Sequence, residues 1–338
     1  MKKTLRIFSK YLIFSLMFIL TLSVSRAELD VSDDYTATEL IEDILLGGGV
    51  QISNVSVTWG SSVKSMGYFE NGDDANLGIE EGIILTTGSI YNALPVNRYS
   101  DVTEFFFGSG DSDLDSLIHR SDPDEQSYDV TAIEFDFTPL FTNVSFNYVF
   151  ASDEYEEFVC SPYNDVFGFF LSGPGINGGF SNNAINIARI PNTNIEVAIN
   201  AVNNGCHNAP DSLDPTDYCS FWGPCSASYS QYFNSNPPAS SYHEYDGYTD
   251  VFTASLTNLQ PCQTYHIKLA IGDAGDYFYD SGVFIEKGSF ESVGEYGGTE
   301  VTICSGVETT IGPDEVEGVE YTWTDPNGYL SATNVPNP

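Results

Sequence analysis

Oxygen-bearing side chains stand at the ends of two apolar runs. Asp153 and Glu154 follow Phe150, and Asn164 and Asp165 precede Val166. A third group, Asp273, Asp276 and Asp280, fills the gap between Ile271 and Val283. Hard divalent cations take about six to eight oxygens from carboxylates, amides and backbone carbonyls. Asp153, Glu154, Asn164, Asp165, Asp273, Asp276 and Asp280 are therefore the candidate ligands of one calcium ion, in some subset, provided that the fold brings these ends together. The competing reading makes them solvated turn acids and strand caps. A further acidic run, Asp111-Ser112-Asp113-Leu114-Asp115, fails as a calcium loop. Ser116 stands where glycine is needed and Asp122 where glutamate is needed, so the run reads as an exposed loop.

Catalytic patterns are missing. The chain has no GxSxG, HExxH or Walker A pattern. Gly110-Asp111-Ser112 is followed by Asp113 and lies deep in the chain, unlike a hydrolase start. His266 alternates outward from a strand-like run and is expected to face solvent. His119, His207 and His243 sit in loop-like stretches. A glycan hydrolase needs two positioned carboxylates, and among 48 acidic residues chance pairs are certain. The expectation is a protein that is not an enzyme, with a secreted glycan-active hydrolase as the minor alternative.

Aromatic side chains supply a second chemistry. Phe221, Trp222, Tyr229, Tyr232, Phe233, Tyr242 and Tyr245 crowd the stretch from Cys219 to Tyr248. Such rings stack on the apolar faces of sugars when they are exposed, and cover a core when they are not. On the first reading Trp222, Tyr229, Tyr232, Tyr242 and Tyr245 bind a ligand.

The N-terminus reads as an export signal. Lys2, Lys3, Arg6 and Lys10 precede an apolar stretch from Tyr11 to Val24, and Ser25-Arg26-Ala27 offers a small-residue exit. The stretch is short for a membrane span of ~20 residues, so cleavage after Ala27 is expected. No later segment is apolar enough for direct membrane insertion. The full chain carries a net charge of −37. All its acidic residues follow Ala27, whereas five basic ones precede Glu28, so signal removal makes it more acidic still. That charge repels nucleic acid and anionic lipid. The 23 Phe and 21 Tyr argue against disorder. In an oxidising compartment the six cysteines read as disulfides. Cys160, Cys206, Cys219, Cys225 and Cys262 are the candidates, with Cys206, Cys219 and Cys225 clustered in one loop-like stretch. The pairing stays open among 15 connectivities.

The elements that must position these groups are strands. Ile133, Phe135 and Phe137 alternate with acids, and Val144, Phe146, Tyr148 and Phe150 continue the same period of two. So do Tyr265, Ile267, Leu269 and Ile271. Further strands are expected at 165–171, 184–190, 195–202, 251–256 and 282–286. One short N-terminal helix starts at Thr36, with Glu39 completing a capping box, and stops at Gly47-Gly48-Gly49. The expected fold class is all-β, a β-sandwich or jelly-roll-like domain. Residues 1–27 form the signal peptide and 28–293 the β domain. Residues 294–338 hold Cys304 and a Tyr321–Trp323 run, read as the incomplete start of an Ig-like or PKD-like sandwich. Cys304 finds no evident mate here, which suggests a longer, multidomain protein.

Four motifs occur in order: Gly82-Ile83-Ile84-Leu85-Thr86-Thr87-Gly88, Ala151-Ser152-Asp153-Glu154-Tyr155 with Asn164-Asp165-Val166-Phe167-Gly168, Tyr245-Asp246-Gly247-Tyr248-Thr249, and Gly272-Asp273-Ala274-Gly275-Asp276 with Asp280-Ser281-Gly282-Val283-Phe284. Together they resemble the choice-of-anchor L domain family of bacterial surface proteins, frequent in Bacteroidota. The resemblance covers roughly residues 35–290. It implies a β-rich extracellular module placed before Ig-like or PKD-like repeats, and it implies no catalytic mechanism. The expected function is a secreted or cell-surface, adhesin-like binding module that recognises an extracellular glycan or surface protein. The alternative is a surface or matrix spacer without a ligand of its own.

Overall fold

The computed structural model describes residues 27–58, 64–99, 101–118, 124–205, 227–293 and Gly328. In chain order its strands are β1 (Asp30–Ser32), β2 (Val50–Thr58), β3 (Met66–Glu70), β4 (Gly82–Thr86), β5 (Ser127–Pro139), β6 (Asn143–Ser152), β7 (Val166–Ser172), β8 (Ile185–Asn186), β9 (Phe233–Ser235), β10 (Gly247–Thr249), β11 (Phe252–Thr257), β12 (Tyr265–Ala274) and β13 (Ser281–Glu286). They form two antiparallel sheets packed as a sandwich. One runs β1-β3-β4-β13-β6-β10-β9, with β11 also on β6, and the other runs β2-β5-β12-β7-β8. The all-β expectation holds.

Period-two side chains put one apolar row of each sheet into the gap between them. Phe135 and Phe137 from β5, Phe146, Tyr148 and Phe150 from β6, Phe167 and Phe169 from β7 and Ile267, Leu269 and Ile271 from β12 are all buried there. Aromatic edges interlock across the gap, as in Tyr148–Phe169, with ring centroids 5.0 Å apart and planes at 89°. The capped helix is present. Thr36 and Glu39 exchange backbone-to-side-chain bonds, and Ala37–Glu39 runs into a wider turn over Leu40–Leu45. Leu40, Ile41, Ile44 and Leu45 close one margin of the core.

Strands β4 and β7 are buried on both faces, which explains their unbroken apolar sequences. The outer face of the first sheet carries Phe69, Ile84, Val149, Tyr248 and Phe284 beneath Leu77, Ile79 and Tyr245. The outer face of the second carries Val130, Ala132, Phe170 and Ala270 beneath Leu114, Leu117 and Ile118 of the helix Ser112–Ile118.

That helix corrects the reading of 111–115 as an exposed loop. The Asp111 carboxylate accepts from the N–H groups of Asp113 and Leu114 at 2.9 and 3.1 Å, a side-chain cap. Asp111 and Asp113 then hold the Lys268 ammonium at 2.7 and 2.6 Å. The expected strands at 184–190 and 195–202 also change. Only Ile185–Asn186 is a strand, and the rest makes isolated bridges, Arg189 with Glu196 and Val166 with Ala198. Val197 and Ile199 still reach the core, so their alternation reports burial without a ladder. His266 does not simply face solvent. It lies between Glu134 at 3.1 Å and Asp136 at 2.8 Å.

The signal segment, Cys206, Cys219, Trp222, Cys225 and the 294–338 segment with Cys304 lie outside the described residues, apart from the isolated Gly328. Neither of the two described cysteines, Cys160 and Cys262, is a free thiol. Among the described residues no helix is long and apolar enough to cross a membrane.

Candidate functional site

Two crossings between the sheets build one end of the sandwich. The chain leaves β6 at Ser152 and enters β7 at Val166. It leaves β12 at Ala274 and enters β13 at Ser281. The strand registers put these ends side by side, with Ser281 opposite Ser152, Gly247 opposite Ser152, and Gly272 opposite Val166. Acids that are far apart in sequence therefore meet.

Six of the seven expected ligands share this end. Asp153, Glu154, Asp165, Asp273 and Asp280 are buried, each no more than 1 % exposed, and Asp276 is half-buried at the rim. Asn164 takes a different part. Its side-chain oxygen accepts from the Asn200 N–H at 2.8 Å and pins the 195–202 segment. Three acids that the sequence reading left out join the cluster. Asp246 and Glu244 crowd Asp153, and Asp129 crowds Asp273 and Asp280.

The partners of these groups differ sharply. Asp165 accepts from the Ala274 N–H at 3.0 Å and the Ser281 hydroxyl at 2.6 Å. Asp280 accepts from Asn92 at 3.0 Å and from the Glu104 N–H at 3.1 Å. Asp246 accepts from the Asn97 amide at 2.6 Å, and Glu244 from the N–H groups of Arg98 and Tyr99 at 3.1 Å. Both carboxylate oxygens of Asp153 and of Asp273, and one of Glu154, are buried with no hydrogen-bond partner. The nearest donors, the Asp246 N–H beside Asp153 and the Thr87 hydroxyl beside Asp273, stand outside bonding geometry.

Burial is the main reason these carboxyls resist ionisation, and neighbouring negative charge adds to it. Asp153, Glu154 and Asp273 are held well above the ordinary carboxylate range. Asp165 is pushed up to about 8, despite its hydrogen bonds, and Asp246 and Asp280 to about 7. His243 is pushed down to about 3 by burial, so it is neutral and supplies no counter-charge. Lys268 is spent on Asp111 and Asp113, and Lys287 on Glu81. Among the described residues no group of three or more acid, imidazole or thiol side chains is placed to hold a metal ion.

The aromatic candidates separate. Tyr245 is fully buried beneath the first sheet, against Phe284 and His243, and is closed to any ligand. Tyr229 and Tyr232 are half-buried against the main core, Tyr232 edge-on to Phe252. Tyr242 is half-buried, and its N–H donates to Ser240. Exposed rings gather elsewhere, at Phe105, Phe107 and Phe278.

The site thus lies at one end of a two-sheet antiparallel sandwich, with exposed rings beside it. The chain belongs to the choice-of-anchor L domain family, whose model matches residues 28–291. That membership makes it a surface-associated protein. No curated protein and no solved structure matches it.

Proposed function

We propose that the chain is an exported, calcium-stabilised binding module that recognises an extracellular glycan or surface protein. The observation that carries the ion is the burial of Asp153 and Asp273 with every carboxylate oxygen unpartnered. Burying an unpaired carboxylate costs several kcal/mol (~2 or more), so such a group is protonated or paired with a cation. Nearby Asp165, Asp280 and Glu154 supply further oxygens of the kind that calcium prefers. Binding would displace the protons that the raised pKa values retain, and side-chain rotation would complete the coordination. On this reading the ion rigidifies the loops that cross between the sheets and so shapes the surface they present. Cleavage after Ala27, disulfides among the cysteines and a further domain from 294 onward complete the proposal. The protein would then be a ligand-binding part of a longer surface protein without enzymatic activity.

One feature favours a second reading. Carboxyls titrating near 7 and 8, as Asp280, Asp246 and Asp165 do, suit a general acid in glycan hydrolysis. Calorimetric titration of the chelator-treated protein with calcium tests the first reading, together with glycan and surface-protein arrays run with calcium and with chelator. No heat and no shift in melting temperature sinks the ion. Array silence would point to a spacer. Polysaccharide turnover lost in Asp165→Asn would replace binding by hydrolysis.

A further inference from the structure

Three exposed large hydrophobic side chains form a contiguous set joined through Phe105. Phe107 is 75 % exposed, Phe278 50 % and Phe105 39 %. Phe105 stacks on Phe107 with centroids 5.8 Å apart and meets Phe278 edge-on at 5.1 Å. Tyr277 extends the patch from Phe107 to Tyr128, at 5.7 and 4.4 Å. Isolated exposed rings are ordinary, whereas a contiguous set marks an interaction surface.

The display is built. Phe107 has φ 52° and Tyr279 φ 63°, left-handed conformations that cost bulky residues about 1–3 kcal/mol unless their surroundings hold them. Here the surroundings do. The buried Asp129 carboxylate accepts from the N–H groups of Phe106 and Gly108, at 3.2 and 2.9 Å, and clamps the backbone on either side of Phe107. Asp280 accepts from the Glu104 N–H, its own N–H donates to the Val102 carbonyl at 3.0 Å, and the Tyr279 N–H donates to the Thr103 hydroxyl at 2.9 Å. Phe106, the middle ring of the triplet, points inward and is buried.

Charge identifies what fits. Asp101, Glu104 and Asp124 are exposed on the segments that carry the rings, and the Asp276 carboxylate beside them accepts from the Phe278 N–H at 2.9 Å. No lysine or arginine occurs in 101–118, 124–130 or 272–286, the described segments that carry the rings and their clamps. The cations just outside them are Lys268, paired with Asp111 and Asp113, and Arg98, beside Glu244. Aromatic faces and carboxylates attract the same partner, a cation. Arginine matches both, because its planar guanidinium stacks on rings while pairing with carboxylates.

We propose that Phe105, Phe107 and Phe278, rimmed by Glu104 and Asp276, form the docking surface for an arginine-bearing segment of a partner protein. This rests on the reading of the chain as a binding module and names its partner chemistry. It does not require calcium.

The test is fluorescence anisotropy of a labelled Gly-Arg repeat peptide against the full chain at physiological ionic strength. The matching Gly-Lys peptide and a neutral cello-oligosaccharide serve as comparisons. Saturable binding is expected, tighter for the arginine peptide, and weakened about fivefold by Phe107→Ala and by Phe278→Ala. Both variants should keep the parent melting temperature, since each ring is exposed. The proposal is overturned by three results: no binding of the arginine peptide, equal affinity in both Phe variants, or sugar binding that Phe107→Ala abolishes. The first two would leave the calcium titration and the arrays untouched, so the two readings fail separately.

Discussion

The hydroxyl of Ser281, at the start of β13, donates to the Asp165 carboxylate, just before β7, across 2.6 Å. One bond thereby ties the two sheets together at the acidic end. Asp165 receives this bond and one from Ala274 yet titrates near 8, because burial and the neighbouring Asp276 and Asp280 outweigh both. The end of the sandwich is thus a store of protons. Asp165 near 8 and Asp246 and Asp280 near 7 all lie above the ordinary 3.8. Folding then takes up protons, and the stability these groups contribute is complete below the ordinary value and lost as pH rises through 7 and 8. His266, raised chiefly by its bond to Glu134, acts in the same direction. Asp113 and Glu134 act oppositely, losing their contribution as the solution becomes strongly acidic. The melting temperature of the chelated protein should therefore fall from about pH 5 to about pH 8. Calcium should restore it at the upper end and change little at the lower. A calorimetric pH series with and without chelator measures both.

Asp273→Asn keeps the shape and cannot ionise. Burial and the neighbouring Asp165 and Asp280 hold the Asp273 carboxyl well above its ordinary range, a cost that the variant does not carry, so in chelator near pH 8 it should be more stable than the parent. Its calcium response should shrink. A variant less stable than the parent under those conditions would mean that the charged carboxylate has a stabilising partner.

Gly88 leaves no room for a side chain, because a Cβ there would occupy the position of the Asp280 carboxylate. Gly88→Ala should displace Asp280 from Asn92 and from the Glu104 N–H, costing about 1–3 kcal/mol as overpacking. Calcium affinity should fall about tenfold or more, since a donor moves. Urea titration and calorimetry read the two effects separately.

Lys268→Met tests the ion pairs on the helix Ser112–Ile118. Burial works to raise Asp113, and its bonds from Lys268 and the Ser181 N–H outweigh that and lower it. Removing the ammonium should cost about 2–3 kcal/mol, at the low end for a buried pair because Asp111 keeps contact with water. The calcium response should be unchanged, because this pair is no part of the acidic end.

By itself the sequence determined the strands whose outer face meets water, the capped helix at Thr36, and the two acid-bearing segments at 153–165 and 273–280. Alternation and capping act over a few residues, so a linear reading suffices for them. What covers the outer face of a strand is not legible in a linear pattern, and the helix over Lys268 therefore has the sequence look of a loop. The tertiary structure alone decided which acids lose water. Asp153 and Asp273 become unpartnered only because loops from both sheets close over them, and Asp246 and Asp129 join from distant strands. It also moved the exposed rings from the Tyr-rich stretch, where Tyr245 is sealed in, to Phe105, Phe107 and Phe278. The Phe105-Phe106-Phe107 triplet was visible in the sequence. Which of its rings faces out depends on the Asp129 carboxylate, a contact across 21 residues or more.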